Sequence, residues 1–139
     1  MPTTLKRGWD LLVTGALWGA FAALLGGRAF KDLLWPAMLA SPLIGLAVGA
    51  LTQERFESAG GWGRAWIALG SVYLGATLFG LVMGSSALVT GGAGLGGWPE
   101  VLLGPIVAVW WGVTLTGFLL FLWPMAYATH WLLEFRGPR

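Results

Sequence analysis

The stretch Trp35-Pro36-Ala37-Met38-Leu39-Ala40-Ser41-Pro42 returns 63 residues later as Trp98-Pro99-Glu100-Val101-Leu102-Leu103-Gly104-Pro105. The shared pattern is Trp-Pro-x-x-Leu-x-(Ser/Gly)-Pro, and the same register goes on to match Gly45 with Ala108 and Gly49 with Gly112. Trp and Pro are scarce in most proteins, so their joint recurrence marks an internal repeat. The preceding segments repeat as well, at an offset of 57: Arg7 matches Arg64, Trp9 matches Trp66, Leu24 matches Leu81 and Gly27 matches Gly84. The chain reads as two copies of one helical hairpin.

Composition says where those hairpins sit. Of 139 residues, 57% are hydrophobic and only 10% charged, and the mean hydropathy is +0.75. Soluble domains keep charge near a quarter of their residues. Apolar runs here approach the roughly 20 residues that cross a bilayer core as helix. No apolar–polar alternation suggests barrel strands, and in lipid only helices and closed barrels satisfy every backbone group. The expected fold is therefore an all-α integral membrane protein of four transmembrane helices, arranged as two parallel repeats of a hairpin.

The expected spans are about 8–27 and 33–51 in the first hairpin (residues 7–57), then about 65–86 and 98–123 in the second (64–123). Residues 124–139 read as an interfacial helical tail, with Tyr127, His130 and Trp131 suited to the membrane surface. Lys6 and Arg7 ahead of an apolar run, with Ala20-Phe21-Ala22 behind it, also resemble a signal peptide. The internal counterpart of this segment favours a first span instead. Pro36 opens the second span, where its missing N–H is harmless. Pro42 and Pro105 lie inside spans two and four, and the spacing predicts matched kinks.

Lys6, Arg7, Arg55, Arg64, Arg136 and Arg139 flank one side of these spans, and only Arg28 and Lys31 the other. The positive-inside rule then places both termini in the cytoplasm, with a bacterial inner membrane as the expected location. Each hairpin starts on the same side, so the repeats are parallel, about an axis along the membrane normal.

Small residues recur every four positions on each span: Gly15, Gly19 and Ala23; Ser41, Gly45 and Gly49; Ala76, Gly80 and Gly84; Gly104, Ala108 and Gly112. Lipid is as apolar as leucine, so close backbone approach along such stripes drives helix contact in membranes. The stripes are expected to serve inside a four-helix bundle, with contact to a partner as the sharper alternative.

Chemistry is sparse. The net charge of +2 sits at span ends, and no basic cluster with interleaved aromatics suits nucleic acid. Without cysteine, disulfides and thiolate ligands are excluded. Gly92-Ala93-Gly94-Leu95-Gly96-Gly97 fits G-x-G-x-x-G on paper but lacks the strand–turn–helix setting that gives the motif meaning. Ser85 and Ser86 have no base on their side of the membrane, and no carboxylate falls mid-span, so no enzyme activity and no metal site are expected.

Two candidate sites remain. Prolines free the carbonyls of Met38 and Val101, and with Ser41, Pro42 and Pro105 these suggest a ligand or ion site at the matched kinks. Trp110 and Trp111 near mid-bilayer, and the single His130, are candidate contacts for a pigment, quinone or haem, although the sequence requires no cofactor. Glu134, one turn beyond His130, would orient it. The leading expectation is a small non-catalytic accessory or scaffold subunit of a respiratory or photosynthetic type of membrane complex, partnered by other integral subunits and lipids. The alternative is a homo-oligomeric channel or transporter working at the Pro42/Pro105 kinks.

Overall fold

The computed structural model describes residues 3–26, 31–89, 97–115, 117 and 119–137, side chains excepted at 23, 25, 26 and 31–34. Among them it holds five helices and no strand: α1 (Thr3–Gly26), α2 (Lys31–Ser58), α3 (Trp62–Val89), α4 (Trp98–Leu115) and α5 (Leu119–Arg136). Three stretches are long and apolar enough to cross a membrane: Trp35–Ser58 in α2, Trp62–Val89 in α3 and Trp98–Leu115 in α4. Their length and composition point to a membrane location.

The helices form a row. α1 packs on α2, α2 on α3, and α3 on α4, while α5 crosses the end of the row where α2 turns into α3. Between α1 and α2 the separation is set by glycine. A Cβ on Gly45 would overlap the backbone of Gly15, and one on Gly19 would overlap the Ser41 side chain. Leu11 and Gly49 extend the same seam. Between α3 and α4, a Cβ on Gly80 would stand 2.6 Å from the Ile106 Cα, and one on Gly84 2.7 Å from the Leu102 carbonyl oxygen. Two hydroxyl relays reinforce this second seam. The Trp110 indole donates to Thr77 Oγ1 (2.9 Å), which donates to the Tyr73 carbonyl, and Tyr73 Oη meets Thr114 Oγ1 at 2.8 Å. An indole N–H deep in an apolar medium needs such a partner.

The matched hairpins do not pack alike. Ser41, Gly45 and Gly49 of α2 receive α1, but their counterparts Gly104, Ala108 and Gly112 on α4 do not face α3. Instead Leu102 and Ile106 meet the α3 glycines, whereas their counterparts Leu39 and Leu43 on α2 are exposed. Residues two apart point to nearly opposite sides of a helix, at about 100° per residue. So α4 is turned roughly half a revolution about its axis relative to α2.

Helix ends depart from the hydropathy pattern. Residues 52–57, beyond the expected end of the second span at about 51, continue α2 to Ser58. Polar side chains do not stop a helix, and Gln53 and Glu57, one turn apart, are hydrogen-bonded at 3.0 Å. The stop comes at Gly60-Gly61, where Gly61 adopts φ +48°. Span four does not run on to Trp123. It ends at Leu115, Gly117 takes φ +74°, and α5 begins at Leu119 instead of after Pro124. Apolar residues continue across this corner, so hydropathy is blind to it.

Candidate functional site

The α2–α3 end of the row carries a buried polar pair. Gln53, 1% exposed, and His130, 5% exposed, meet there beneath α5. Gln53 Nε2 donates to the His130 carbonyl and to Glu57 Oε1, both at 3.0 Å. Two acceptors face that end of the amide, so it is the NH2, and the opposite end is the acceptor Oε1. His130 Nδ1 lies 2.7 Å from Oε1 and must therefore carry the proton, which leaves Nε2 as an acceptor. Burial pushes the imidazole pKa down to about 4, opposed only in part by the Glu57 carboxylate, so the ring is neutral.

Aromatic and ionic contacts seat this pair. The fully buried Phe56 ring stacks on His130 at 4.9 Å and meets Tyr127 edge-on. Arg64 lies over the other side of this cluster, 5.1 Å from the Phe56 ring centre. Its guanidinium grips Glu134 through two bonds of 2.9 and 3.0 Å and donates to the Ala59 carbonyl. Arg7 pairs with Glu57 at 3.0 Å, and Arg136 with Asp10 at 3.4 Å. Trp123 donates to the Ala65 carbonyl at 2.7 Å. Arg136 thus ties α5 to α1, Gln53 ties it to α2, Arg64 and Trp123 join it to α3, and Arg7 joins α1 to α2.

Above this platform α1 and α4 do not close on each other. Between them lies an apolar groove of about 620 Å³, floored by α2 and α3 and ended by α5. Gly15, Gly45, Gly75, Gly104 and Ala108 leave its space open, and larger apolar side chains such as Trp18, Phe79 and Val109 complete its walls. At its α5 end stand His130, Thr129, Ser71 and Thr14.

The residues expected to matter fall out as follows. Gly15, Gly19, Ser41, Gly45, Gly49, Gly80 and Gly84 lie on helix seams, and Ala76 lines the groove and is buried. The Ala23 side chain lies outside the described residues, as do the α1–α2 connection at 27–30 and residues 90–96 of the glycine-rich connector. Gly104, Ala108 and Gly112 border the groove, and a Cβ on Gly104 or Gly112 would stand in open space. Ser41 and Pro105 border it too; Met38, Pro42 and Val101 do not. The Met38 carbonyl accepts the Ser41 hydroxyl at 2.6 Å, and the Val101 carbonyl faces Gly84 of α3. Trp110 is spent on Thr77, and Trp111 is exposed on the outer face of α4.

Glu134 does not orient His130; it belongs to Arg64, and Gln53 holds the imidazole instead. Gln53, Phe56 and Glu57 carry no motif. Their only sequence signal is an amide and a carboxylate one helical turn apart at the end of an apolar run. Among the described residues no group of three His, Cys, Asp or Glu side chains converges on a metal position.

Comparison with protein-family models, curated proteins and solved structures returns no match for this chain.

Proposed function

We propose that this chain is a non-catalytic accessory subunit of a larger membrane assembly, of respiratory or photosynthetic type, which holds an apolar ligand between itself and a neighbouring subunit. The observation that carries this reading is the unclosed groove between α1 and α4, faced by the α4 stripe Gly104/Ala108. A bundle sufficient to itself would press that stripe onto α1, since dispersion contacts are lost along any unfilled wall. α4 has no buried residue at all, which suits a helix that leans on a neighbour.

In this reading α1 is the fourth span. Its charges, Lys6, Arg7 and Asp10, are confined to the first turns, and from Leu11 onward it runs along α2. The α5 end, rich in arginine, faces the cytoplasm with both termini. α5 lies in the interface plane, with Trp131 and Phe135 outward. Pro42 and Pro105 bend α2 and α4 and help hold the groove apart.

Purification from native membranes in mild detergent is the test. A defined heteromeric complex is the expected result; a lone monomer or homo-oligomer overturns the reading. The channel or carrier alternative has less support, because the proline-freed carbonyl of Met38 is satisfied by Ser41 and that of Val101 is covered by α3.

A further inference from the structure

We propose that the groove is a binding site for a long-chain lipid alcohol, whose hydroxyl donates a hydrogen bond to His130 Nε2 while its chain lies between α1 and α4. The inference adds a ligand class to the proposed function but is carried by this chain alone.

Size and shape admit such a molecule. Volumes of about 300–1,000 Å³ are usual for small-molecule sites, and 620 Å³ falls well inside that range. Along α1 the lining runs from Leu11 to Ala22, about 17 Å at 1.5 Å per residue. The α5 end gathers His130, Thr129, Ser71 and Thr14, whereas Ser41 further along spends its hydroxyl on the Met38 carbonyl, so a ligand with one polar head and a long apolar body is favoured in one orientation.

The head group follows from a donor–acceptor count. Thr14 donates to the Asp10 carbonyl, Ser71 to Ala68 and Thr129 to Met125, each at 2.7 Å. His130 Nδ1–H is given to Gln53. These hydroxyls and the imidazole have thus committed their protons and turn lone pairs toward a ligand, while the Trp18 indole, which also borders the groove, adds a donor. Among the described residues no buried side-chain nitrogen or oxygen lacks a hydrogen-bond partner, and Nε2 takes part in no such bond. What little exposure His130 keeps therefore includes Nε2, and the residue lines the groove.

A head group beside His130 Nε2 must donate, and beside the Trp18 indole it can also accept. A ketone, ester or ether offers only further lone pairs, and a carboxylate adds repulsion from Glu57. An ammonium head would need a counter-ion, and Glu57 is already engaged by Arg7 and Gln53. A neutral hydroxyl meets the requirement.

The experiment uses the full chain, purified in detergent, and labelled probes in pairs that differ only in the O–H. The pairs are geranylgeraniol with its methyl ether, dioleoylglycerol with its methyl ether, and a decyl benzoquinol with its quinone. At least one alcohol is expected to bind about tenfold more tightly than its partner, the factor that one hydrogen bond supplies. The pair that shows it identifies the source of the hydroxyl.

His130→Asn keeps an N–H where Nδ1 stands, and so keeps the bond to Gln53, but removes Nε2. It should abolish the preference. Gly104→Leu fills the groove from a position where a Cβ meets nothing within 4 Å, and should weaken both members of a pair alike. Equal binding within every pair, no binding at all, a preference that survives His130→Asn, or binding untouched by Gly104→Leu would each overturn the proposal. A chain that purifies alone yet prefers the alcohol overturns only the assembly reading.

Discussion

Gln53 and His130, 77 positions apart in the chain, exchange hydrogen bonds in both directions: Gln53 Nε2 donates to the His130 carbonyl, and His130 Nδ1 donates to Gln53 Oε1. The bond to the carbonyl fixes the backbone of α5, and the bond to the ring fixes its tautomer. One amide thereby joins the position of a helix to the chemistry of a side chain.

Replacing that amide by an isosteric apolar group tests the tie. Gln53→Leu leaves the His130 ring N–H dry and without a partner, at about 1–3 kcal/mol, and removes the second bond to a carbonyl that α5 itself already engages. Hydrogen exchange in α5 should accelerate at least tenfold while the amides of α3 keep their protection. Unchanged exchange in α5 would show that the arginine pairs alone hold it.

Stability should depend on pH through His130. Its pKa is about 4 in the folded chain and 6.5 in the unfolded one. Between these values the unfolded chain takes up a proton that the folded chain refuses, so stability falls as pH drops from 6.5 toward 4. Above 6.5 the contribution is whole, and below 4 the loss is complete, on the order of 3 kcal/mol. Denaturation midpoints of the parent chain and His130→Asn across this window give the difference curve, in which other titrating groups cancel. A flat difference contradicts the assignment.

The two kinds of glycine should respond oppositely to the same change. Gly45→Ala pushes a methyl into the backbone of Gly15 and forces α1 away from α2, a loss of about 1–3 kcal/mol. Gly104→Ala adds a methyl in open space and should stabilise α4 by up to about 1 kcal/mol from helix propensity. Thermal unfolding of the two variants in one detergent compares them directly.

The seam between α3 and α4 contains a hydrogen bond that a double-mutant cycle isolates. Trp110→Phe removes the indole donor and Thr77→Val its acceptor. Their coupling should be about 0.6 kcal/mol, the average for polar pairs between membrane helices. Zero coupling would mean that the indole finds another partner as readily.

Because the chain has no cysteine, single cysteines report sidedness without background. In intact cells, Gly97→Cys should react with a membrane-impermeant maleimide, and Ser58→Cys only after lysis. Both reacting from outside would refute the orientation drawn from Lys and Arg.

Much of the fold is legible in the chain itself. Apolar length announces the membrane helices, and four-residue spacing of glycine picks out the seams at Gly15, Gly45, Gly80 and Gly84. The corner at Gly117 is hidden because hydropathy measures burial in lipid and not backbone direction. Gln53 is hidden for a related reason: its partner lies far along the chain, and only the crossing of α5 brings it near.

The repeat is the sharpest case. Residue identities alone determined that α2 and α4 carry the same stripe of small side chains, since spacing along a helix fixes which residues share a face. Which way each face turns was decided only by the tertiary structure. α2 has a neighbour on both sides and buries its stripe against α1, while α4 ends the row, sets Leu102 and Ile106 into the α3 glycines and leaves its own stripe to the groove. Rotation of a helix about its axis is set by the packing of all its neighbours at once, and no local pattern encodes it.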